Sequence, residues 1–474
     1  MGRPPQHVHL IGICGTAMAS LAGMLKQLGT RVTGSDASAY PPMSDFLASL
    51  SIPVAQPFSA NNLDPRPDLV VVGNAISRGN PELEHVLDQR IPMRSLPQML
   101  QEYFLRTREP IVVAGTHGKT TATSMLAWIF QVAGLEPSFL IGGIAENFAS
   151  SFAVRDRKHF IVEGDEYDTA FFDKGPKFLH YMPASLLLTH VEFDHADIYR
   201  DLDAVKIAFK RLVNLVPRRG VIAAFDGSEN VKECVSKAFC RVERYGFSES
   251  ATWRATHLEF GPEKTTWELM REGKLWARLE FPLAGAYNVL NATGAAAIAA
   301  NYGIGPEQVA QALKTFKSVK RRLEVKGEIN GITIIDDFAH HPTAIAATLE
   351  AVRTRYPGRR IWAVFEPRSN TLRRRVFEKD LIASLALADE VVIASVFRPE
   401  AVPEAERLEP AAILRGLEAQ GKHARQLADA DAIVAEVAPE LRSGDVVTIL
   451  SNGGFGGIYE KLPQRLISMS EVHA

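Results

Sequence analysis

A glycine-containing loop at residues 115–121 has the residue types that bind phosphate groups, and it follows a strand-like run at 112–114. Its sequence is Gly115-Thr116-His117-Gly118-Lys119-Thr120-Thr121. In such a loop the glycines let backbone N–H groups approach phosphate oxygens, the lysine adds positive charge, and a threonine hydroxyl can reach Mg²⁺. Val113 replaces the first glycine of a complete Walker A motif, so an ordinary strand-to-helix turn is the alternative. The loop predicts binding of a nucleoside triphosphate.

Two acidic clusters lie downstream of this loop, at 163–168 and 190–195. Each follows a short apolar run, so each is expected at the end of a strand. Acidic groups there can hold Mg²⁺ beside a phosphate loop. Either cluster alone would be an ordinary charged loop, but together with the phosphate loop they predict a magnesium site. Imidazole is an unusual ligand for this hard cation, so the residue pattern alone favours a simple loop histidine at His195.

The amino-terminal segment has a βαβ pattern with a glycine turn. A strand at 7–11 leads into Gly12, and an acid, Asp36, follows about twenty residues later. This arrangement is similar to a dinucleotide fingerprint, but Cys14 and Ala17 stand where its second and third glycines belong. A side chain at Cys14 obstructs the close approach of a pyrophosphate. The segment therefore favours a nucleotide other than NAD, and an NAD oxidoreductase becomes the weaker alternative.

Polar segments follow apolar runs elsewhere in the chain. One, at 74–81, follows the run 69–73, and three more, at 336–342, 366–370 and 451–457, follow strand-like runs in the last third. Ligands of open α/β sheets bind at the carboxyl ends of the strands. These segments predict a ligand cleft, with a solvated turn as the alternative reading of 74–81.

Size and composition limit the class of protein. The chain has 474 residues, which at about 150 residues per domain suggests about three domains. A hydrophobic content of 46%, a charged content of 23% and a net charge of −2 give no basic excess for nucleic acid. The cysteines Cys14, Cys234 and Cys240 form neither a disulfide framework nor a zinc pattern. No signal peptide and no membrane-spanning apolar run is recognisable, so we expect a cytoplasmic protein.

The order of the motifs predicts an α/β protein with three domains. We expect a Rossmann-like amino-terminal domain at 1–107, a central P-loop-type ATPase domain at 108–321, and a Rossmann-like carboxy-terminal domain at 322–474.

Taken in order, seven motifs of this chain resemble those of the Mur ligases of peptidoglycan synthesis, over essentially the whole chain. They lie at 12–16, 34–36, 115–121, 192–197, Asn288 with Asn291, 321–324 and 336–342. The branch that uses UDP-N-acetylmuramate as its carboxylate donor is the most similar. The stretches 166–174, 366–371 and 451–457 resemble the members that add a tripeptide more than those that add L-alanine.

The resemblance implies an ATP-dependent and Mg²⁺-dependent ligase that forms an amide bond through an acyl phosphate. The expected substrates are UDP-N-acetylmuramate and the murein tripeptide L-alanyl-γ-D-glutamyl-meso-diaminopimelate, used in peptidoglycan recycling. An L-alanine ligase of de novo synthesis is the alternative within the family. A nucleotide-gated binding protein, whose ATPase acts as a switch, is the alternative outside it.

The resemblance also implies a role for each candidate residue. For ATP these are Lys119 on the β- and γ-phosphates within the loop 115–121, Asn288 and Asn291 near the adenine, Arg322 at the terminal phosphates, and Asp337 and His340 above the nucleotide. Thr120 and Glu163 are expected to hold one Mg²⁺, and His195 a second. The catalytic residues would be Lys119, His195 and Arg322.

The implied substrate contacts are divided between the outer domains. Gly15, Asp36, Asn74 and Ser77 are expected at the UDP group, and Arg368 and Asn452 at the carboxylates of the peptide, because a guanidinium suits a carboxylate. Ordinary loop polarity is an equal alternative for Arg368 and Asn452. Tyr287 stands where relatives often have histidine, and whether Lys206 is carbamylated stays open.

Overall fold

The chain folds into three α/β units that follow one another along the sequence. The structure is a computed structural model and describes residues 5–39 and 43–471. Each unit has a sheet with helices packed against it, so the predicted α/β class with three domains is confirmed. In the described part of the chain, no helix is long and apolar enough to cross a membrane.

The first unit is a parallel sheet, with five strands in the described residues. Its elements are β1 (His7–Ile11), α1 (Thr16–Gln27), β2 (Arg31–Ser35), α2 (Met43–Ser49), β3 (Val54–Ala55), β4 (Leu69–Val72), α3 (Pro81–Asp88), β5 (Met93–Ser95) and α4 (Leu96–Leu100). The strand order is β3-β2-β1-β4-β5. The central strands β1 and β4 are largely buried, as parallel strands covered on both faces must be; β4 is wholly apolar, whereas β1 also contains the buried His9. The loops after β1, β2 and β4 therefore leave from one edge.

The middle unit is built on a mixed sheet of ten strands. Its elements are β6 (Glu109–Ala114), α5 (Lys119–Val132), β7 (Ser138–Ala145), β8 (Ser150–Ala153), β9 (His159–Gly164), β10 (Asp168–Ala170), β11 (Asp173–Pro176), β12 (Ser185–Leu188), α6 (Leu202–Leu215), β13 (Val221–Phe225), α7 (Glu229–Val235), β14 (Arg241–Gly246), β15 (Trp253–Phe260), β16 (Thr265–Arg271), β17 (Lys274–Phe281), α8 (Ala286–Asn301) and α9 (Pro306–Lys314). The order is β17-β16-β15-β14-β13-β12-β6-β9-β7-β8, and β10 pairs separately with β11.

Strand β6, which carries the phosphate loop, lies between β12 and β9 and is parallel to both. The two acidic clusters follow β9 and β12, so the parallel register brings them to the two sides of the phosphate loop. Helices α5 and α8 pack together over the sheet, where small residues of α8 such as Ala292, Ala295 and Ala296 are fully buried. The topology thus brings the two acidic clusters next to the phosphate loop, as the prediction of a magnesium site requires.

The third unit has a six-stranded sheet in the described residues. Its elements are β18 (Glu324–Ile329), β19 (Ile332–Asp337), α10 (Pro342–Arg355), β20 (Ile361–Phe365), α11 (Glu378–Leu385), β21 (Glu390–Ala394), α12 (Pro410–Glu418), β22 (His423–Leu427), α13 (Ala430–Val437), β23 (Val446–Leu450) and α14 (Ile458–Glu471). The order is β18-β19-β23-β20-β21-β22, with only β18 antiparallel to its neighbour. The polar segments after β19, β20 and β23 lie side by side, because these three strands are neighbours.

The middle and third units are joined by a short linker at 318–323. Ser318, Arg321 and Leu323 have φ values of 75°, 63° and 50°, a left-handed conformation that is uncommon for residues with a side chain. The linker is fastened to β7, because Lys320 N donates to Ile144 O at 3.0 Å. On its other side Arg321 Nε lies 3.0 Å from Asp336 Oδ2 in the third unit. This linker sets the direction in which the third unit leaves the second.

Candidate active site

The phosphate loop turns sharply between β6 and α5. Gly118 caps α5 with a φ of 79°, and a Cβ atom there would lie 2.5 Å from Asn291 Oδ1. The loop is held from one side by the segment after β12, since Thr116 N donates to His190 O at 2.7 Å and Thr189 Oγ1 donates to His117 O at 2.5 Å. The residues predicted at 115–121 therefore form a tight turn, held by hydrogen bonds, at a helix amino terminus, where backbone N–H groups favour anions.

Lys119 is held by a buried carboxylate, that of Glu166, which is not among the residues predicted from the sequence. Its Nζ lies 3.0 and 2.8 Å from the two Glu166 oxygens, and Glu166 is only 2% exposed. Burial alone would lower the pKa of Lys119, but Glu166 and Asp165 raise it, so the lysine is charged. His195 Nε2 lies 3.4 Å from the same carboxylate. Because a buried lysine needs a counter-charge, the sequence could have pointed to the 163–168 cluster as its source, but not to Glu166 within that cluster.

Thr120 and Glu163 form the oxygen-rich pair that the sequence predicts for Mg²⁺. Thr120 Oγ1 donates to Glu163 Oε1 at 2.9 Å, and Gly142 N donates to Glu163 Oε2 at 2.7 Å. Burial raises the pKa of Glu163 above its usual range, although Lys119 opposes this shift. Hydroxyl and carboxylate oxygens are the donors that Mg²⁺ prefers, so these residues fit a magnesium ion.

A cavity of about 640 Å³ lies between the phosphate loop, α8 and α10. Asn288, Asn291, Tyr287, Arg322 and Asp337 contribute to its lining. Asn291 Nδ2 is buried and has no hydrogen-bond partner among the described residues, whereas Asn288 Nδ2 donates to Ala284 O at 2.8 Å. The unpaired amide marks a position where a ligand acceptor would fit. A pocket of this size is typical for a small-molecule cofactor.

A second cavity, of about 390 Å³, lies on the other side of the phosphate loop, where all three units meet. Thr16, Ala17 and Leu96 line it from the first unit. The second unit adds Lys119, Thr120, Glu163 and His195, and the third adds His340 and Ala339, with Arg322 of the linker between them. The phosphate loop lies between the two cavities, because both are lined by His117, Gly118 and Arg322.

The predicted residues of the third unit lie over the phosphate loop. Arg322 Nη2 lies 3.3 Å from Thr120 Oγ1, which places its guanidinium beside the predicted metal ligand. Asp337 accepts hydrogen bonds from Leu323 N at 2.7 Å and Ala339 N at 2.8 Å, so it also shapes the turn that carries His340. His340 Nε2 lies 3.9 Å from Asp194 Oδ2. The structure therefore places Arg322 and His340 in the same cavity as Lys119, and Asp337 in the cavity on the other side of the phosphate loop.

The four predicted residues of the first unit lie at one sheet edge, but they do not line the cavity where the units meet. Asp36 Oδ2 accepts from Cys14 N at 2.8 Å, and Asp36 Oδ1 accepts from Ala37 N at 2.8 Å. The carboxylate thus shapes the turn at Gly15. Asn74 and Ser77 are exposed in the loop after β4.

Arg368 and Asn452 follow the neighbouring strands β20 and β23, outside the lining of both cavities. Arg368 Nη1 lies 3.3 Å from Glu366 Oε1, and its guanidinium stacks 3.9 Å from the centre of the Phe397 ring. Asn452 Oδ1 is buried with no hydrogen-bond partner in the part of the chain that the structure describes. Arg368 is therefore already paired, while Asn452 has an acceptor available for a ligand.

Three models of one protein family match the chain in sequence order. They are the Mur ligase family catalytic domain at residues 7–108, the Mur ligase middle domain at 113–299, and the Mur ligase glutamate ligase domain at 321–453. The chain belongs to the Mur ligase family. Members of this family are ATP-dependent ligases that form amide bonds, so the prediction of such a ligase is confirmed.

Similar proteins include members with two different amine substrates in their names. The chain is 42% identical over 466 residues to the UDP-N-acetylmuramate–L-alanyl-γ-D-glutamyl-meso-2,6-diaminoheptandioate ligase of Escherichia coli (strain K12), covering 98% of this chain and 99% of the relative. It is 32% identical to the UDP-N-acetylmuramate–L-alanine ligase of Desulfitobacterium hafniense (strain Y51), covering 98% and 100%. A crystal structure of a murein peptide ligase from Psychrobacter arcticus 273-4 matches with a TM-score of 0.75 and 36% identity, covering 97% and 98%.

Lys206 of this Mur ligase lies outside the lining of both cavities. Its Nζ is 2.8 Å from Glu233 Oε2 and 3.6 Å from Asp203 Oδ1. The amine is engaged in surface ion pairs on α6 and α7. Carbamylation of Lys206 therefore gains no support from its surroundings.

Proposed function

We propose that this Mur ligase joins the tripeptide L-alanyl-γ-D-glutamyl-meso-diaminopimelate to UDP-N-acetylmuramate and converts ATP to ADP and phosphate. The observation that carries the proposal is the second cavity, of about 390 Å³, where residues of all three units lie around Lys119. A carboxylate presented by the first unit and an amine presented by the third can meet there beside a triphosphate. The choice of the tripeptide is supported by the 42% identity to the Escherichia coli ligase that is named for it.

The chemistry explains why cations surround this cavity. A carboxylate is a poor acyl donor because its oxygen leaves badly, so transfer of the γ-phosphoryl group must first make an acyl phosphate. Two anions about 4 Å apart repel each other by about 4 kcal/mol at an effective dielectric of about 20. Lys119 and Arg322 are the side chains that offset this repulsion, and both line the cavity. The free amine of the tripeptide then attacks the acyl carbon, and phosphate leaves.

Mg²⁺ is part of the proposal. Thr120 and Glu163 would hold one ion, which would neutralise charge on the transferred phosphoryl group. His195 would hold a second, and its ring is oriented by Glu166 at 3.4 Å. The other side chains act directly: Asn291 offers its unpaired amide to the base, and Lys119 exchanges Glu166 for phosphate oxygens when ATP binds.

The outer domains are proposed to select the substrates. Gly15, Asp36, Asn74 and Ser77 would contact the UDP group at the edge of the first sheet, and Arg368 and Asn452 would contact the peptide. The unpaired Asn452 Oδ1 supports its role, whereas Arg368 must release Glu366 to accept a carboxylate.

We also propose domain limits of 1–107, 108–321 and 322–474, which agree with the separation of the three sheets. The tripeptide is a fragment of existing cell wall, which favours a role in recycling. A cytoplasmic location is proposed because the reaction consumes ATP and because Cys14, Cys234 and Cys240 are free thiols.

Release of ADP with different acceptors tests the proposal. Purified protein with ATP, Mg²⁺ and UDP-N-acetylmuramate should release ADP rapidly with the tripeptide and at least about a hundredfold more slowly with L-alanine, since a site built for polar groups rejects substrates that lack them. Equal or faster turnover of L-alanine would make this the alanine ligase. ADP release that needs no amine at all would instead support a nucleotide-gated switch.

A further inference from the structure

The loop between β12 and α6, at residues 190–197, is the place where the third unit rests on the second. Four side chains of the third unit form hydrogen bonds with it: Thr343 with Glu192, His341 with Phe193 O, Thr371 with Asp194, and Asn370 with Asp197, at distances of 2.8, 3.2, 2.7 and 2.7 Å. The same loop holds the phosphate loop on its other side. It therefore touches both parts that must be in register for chemistry.

Glu192 is the residue of this loop that contacts both parts with one side chain. Its backbone N donates to Thr116 Oγ1 at 2.9 Å, and Thr116 Oγ1 in turn lies 3.2 Å from Glu192 O. Its Oε2 lies 2.9 Å from His117 Nε2, which donates to it because an ionised carboxylate only accepts. Burial alone would raise the pKa of Glu192, but His117 and the Thr343 hydroxyl lower it to about 2, so the carboxylate is charged.

The same oxygen accepts a hydrogen bond from the third unit. Thr343 Oγ1 donates to Glu192 Oε2 at 2.8 Å. His341 Nδ1 is 3.5 Å from this oxygen, but it accepts from Thr343 N at 3.3 Å and so is not a donor to Glu192. Thr343 is therefore the group through which Glu192 senses the third unit.

His117, Glu192 and His341 also have the composition of a metal site, since their possible ligand atoms lie within 4.8 Å of one another. The hydrogen bonds argue against a cation there. The Nδ1 atom that His341 would offer already accepts from Thr343 N, and Glu192 Oε2 already has two donors. The cluster is satisfied as a hydrogen-bonded bridge between two units.

We propose that Glu192 is a positioning residue that couples closure of the third unit to the shape of the phosphate loop. This inference rests on the proposed use of ATP and adds a coupling residue to it. With the third unit closed, Thr343 and His117 together fix the Glu192 carboxylate, and His117 immediately precedes Gly118 and Lys119. With the third unit open, Glu192 loses the Thr343 donor and His117 has a freer partner. The loop is then fully ordered only when the domain that completes the site is in place.

The decisive variant is Thr343→Val, which removes the hydroxyl and keeps the shape of the side chain. Hydrogen exchange of backbone amides at 115–121 is measured with a non-hydrolysable ATP analogue, Mg²⁺ and UDP-N-acetylmuramate present. A hydrogen bond to a charged group shifts an equilibrium by roughly tenfold or more, so we expect exchange in the loop to accelerate about tenfold. The kcat for ADP release should fall about tenfold, with a smaller change in the KM for the tripeptide. Thr343→Ser should restore both.

Two controls isolate the bridge. Thr266→Val removes a hydroxyl that lies 3.4 Å from Glu259 on the distant β15–β16 pair, and it should change neither measurement. Glu192→Gln keeps the side-chain shape and should accelerate loop exchange by itself. In that background Thr343→Val should add less than about twofold, because residues that act through one interaction are not additive.

The outcomes are distinct. Unchanged loop exchange and kcat in Thr343→Val would overturn the coupling, as would a full tenfold effect of Thr343→Val in the Glu192→Gln background. If Thr343→Val does not fold, Glu192→Gln decides alone, and wild-type loop exchange in that variant overturns the proposal. If the nucleotide does not slow hydrogen exchange at 115–121 in the wild-type protein, that result would instead contradict the proposed function.

Discussion

The phosphate loop of the middle domain and the turn at Gly12–Gly15 in the first domain begin with the same plan, a buried parallel strand followed by glycines and a helix. They differ in what fills the turn. At the phosphate loop, Gly118 is left-handed, and the next residue, Lys119, points its ammonium group at a buried carboxylate. In the first turn, Gly12 is also left-handed with a φ of 82°, but Gly15, which precedes the helix, has an ordinary φ of −67°, and Asp36 already accepts from Cys14 N.

The difference shows how one supersecondary unit can serve two kinds of ligand. The phosphate loop keeps a charged lysine and a helix amino terminus ready for a concentrated negative charge. The first turn has no cation, and its helix amino terminus faces an acid that its own chain supplies. A triphosphate fits the former, whereas the uridine and sugar hydroxyls of the proposed donor suit the latter. The shared fold thus says less about the ligand than the residues in the turn do.

The variant Lys119→Ala, which removes the cation that distinguishes the phosphate loop from the first turn, has the largest expected effect on activity. The rate of ADP release should fall by about a hundredfold to a thousandfold, the usual loss when one preorganised donor to a developing charge is removed. Among the described residues, the Glu166 carboxylate then keeps His195 as its only ion-pair partner, so a circular dichroism spectrum that matches the wild type must first show that the variant is folded. Lys264→Ala, at an exposed ion pair with Glu280, is the control and should leave kcat unchanged. Near-normal turnover in Lys119→Ala would remove the loop from the mechanism.

An intermediate effect separates the two turns through their glycines. Gly118→Ala places a Cβ at a left-handed residue and 2.5 Å from Asn291 Oδ1, so the affinity for an ATP analogue should fall about tenfold, the equivalent of about 1.4 kcal/mol. At Gly15 the nearest heavy atom to an added Cβ is 3.8 Å away, so Gly15→Ala should change that affinity by less than about twofold. Calorimetric titration measures both. Equal losses in the two variants would contradict the distinction drawn between the turns.

The smallest expected effect concerns Asp36. Asp36→Ala removes the acceptor of Cys14 N, and the loss of a hydrogen bond of about 1 kcal/mol should raise the KM for UDP-N-acetylmuramate about fivefold. The KM for ATP should stay the same, because the phosphate loop lies in another domain. Asp45→Ala, at an exposed acid of α2 in the same domain, is the matched control. A change in the KM for ATP would show that the two turns are not independent.

Local patterns were sufficient where the strand, turn and helix are consecutive in the chain. The strand at 7–11 and the phosphate loop at 115–121 have this form, and the structure has both. The antiparallel extension β15–β17 was not predicted, although Trp267 and Leu269 alternate with polar residues as strand residues do. These three antiparallel strands depart from the alternation of strands and helices in the P-loop-type domain that the sequence predicts. Their residues simply follow the two-residue period of a half-buried strand.

Contacts between distant segments could not be predicted from the pattern. Glu192 and Thr343 are separated by 151 positions, and Arg322 reaches Thr120 across 202. Nothing local in the 163–168 cluster distinguishes Glu166, which pairs with Lys119, from its acidic neighbours. The contacts of the side chains proposed for the UDP group and the peptide could not be predicted from the sequence either, because their partners are substrates. Such roles depend on which surfaces the fold brings together.

The left-handed linker has a mechanical consequence for turnover. Left-handed backbone costs a residue with a side chain roughly 1–2 kcal/mol, and Ser318, Arg321 and Leu323 all hold it while the third domain is seated. A rotation of the third domain that returns one of these residues to an ordinary φ would recover that residue's share of the cost. Such relief would favour the open arrangement of the third domain, from which a product can leave. Glycine adopts the left-handed conformation without this cost, so glycine at the three positions would remove the bias toward opening.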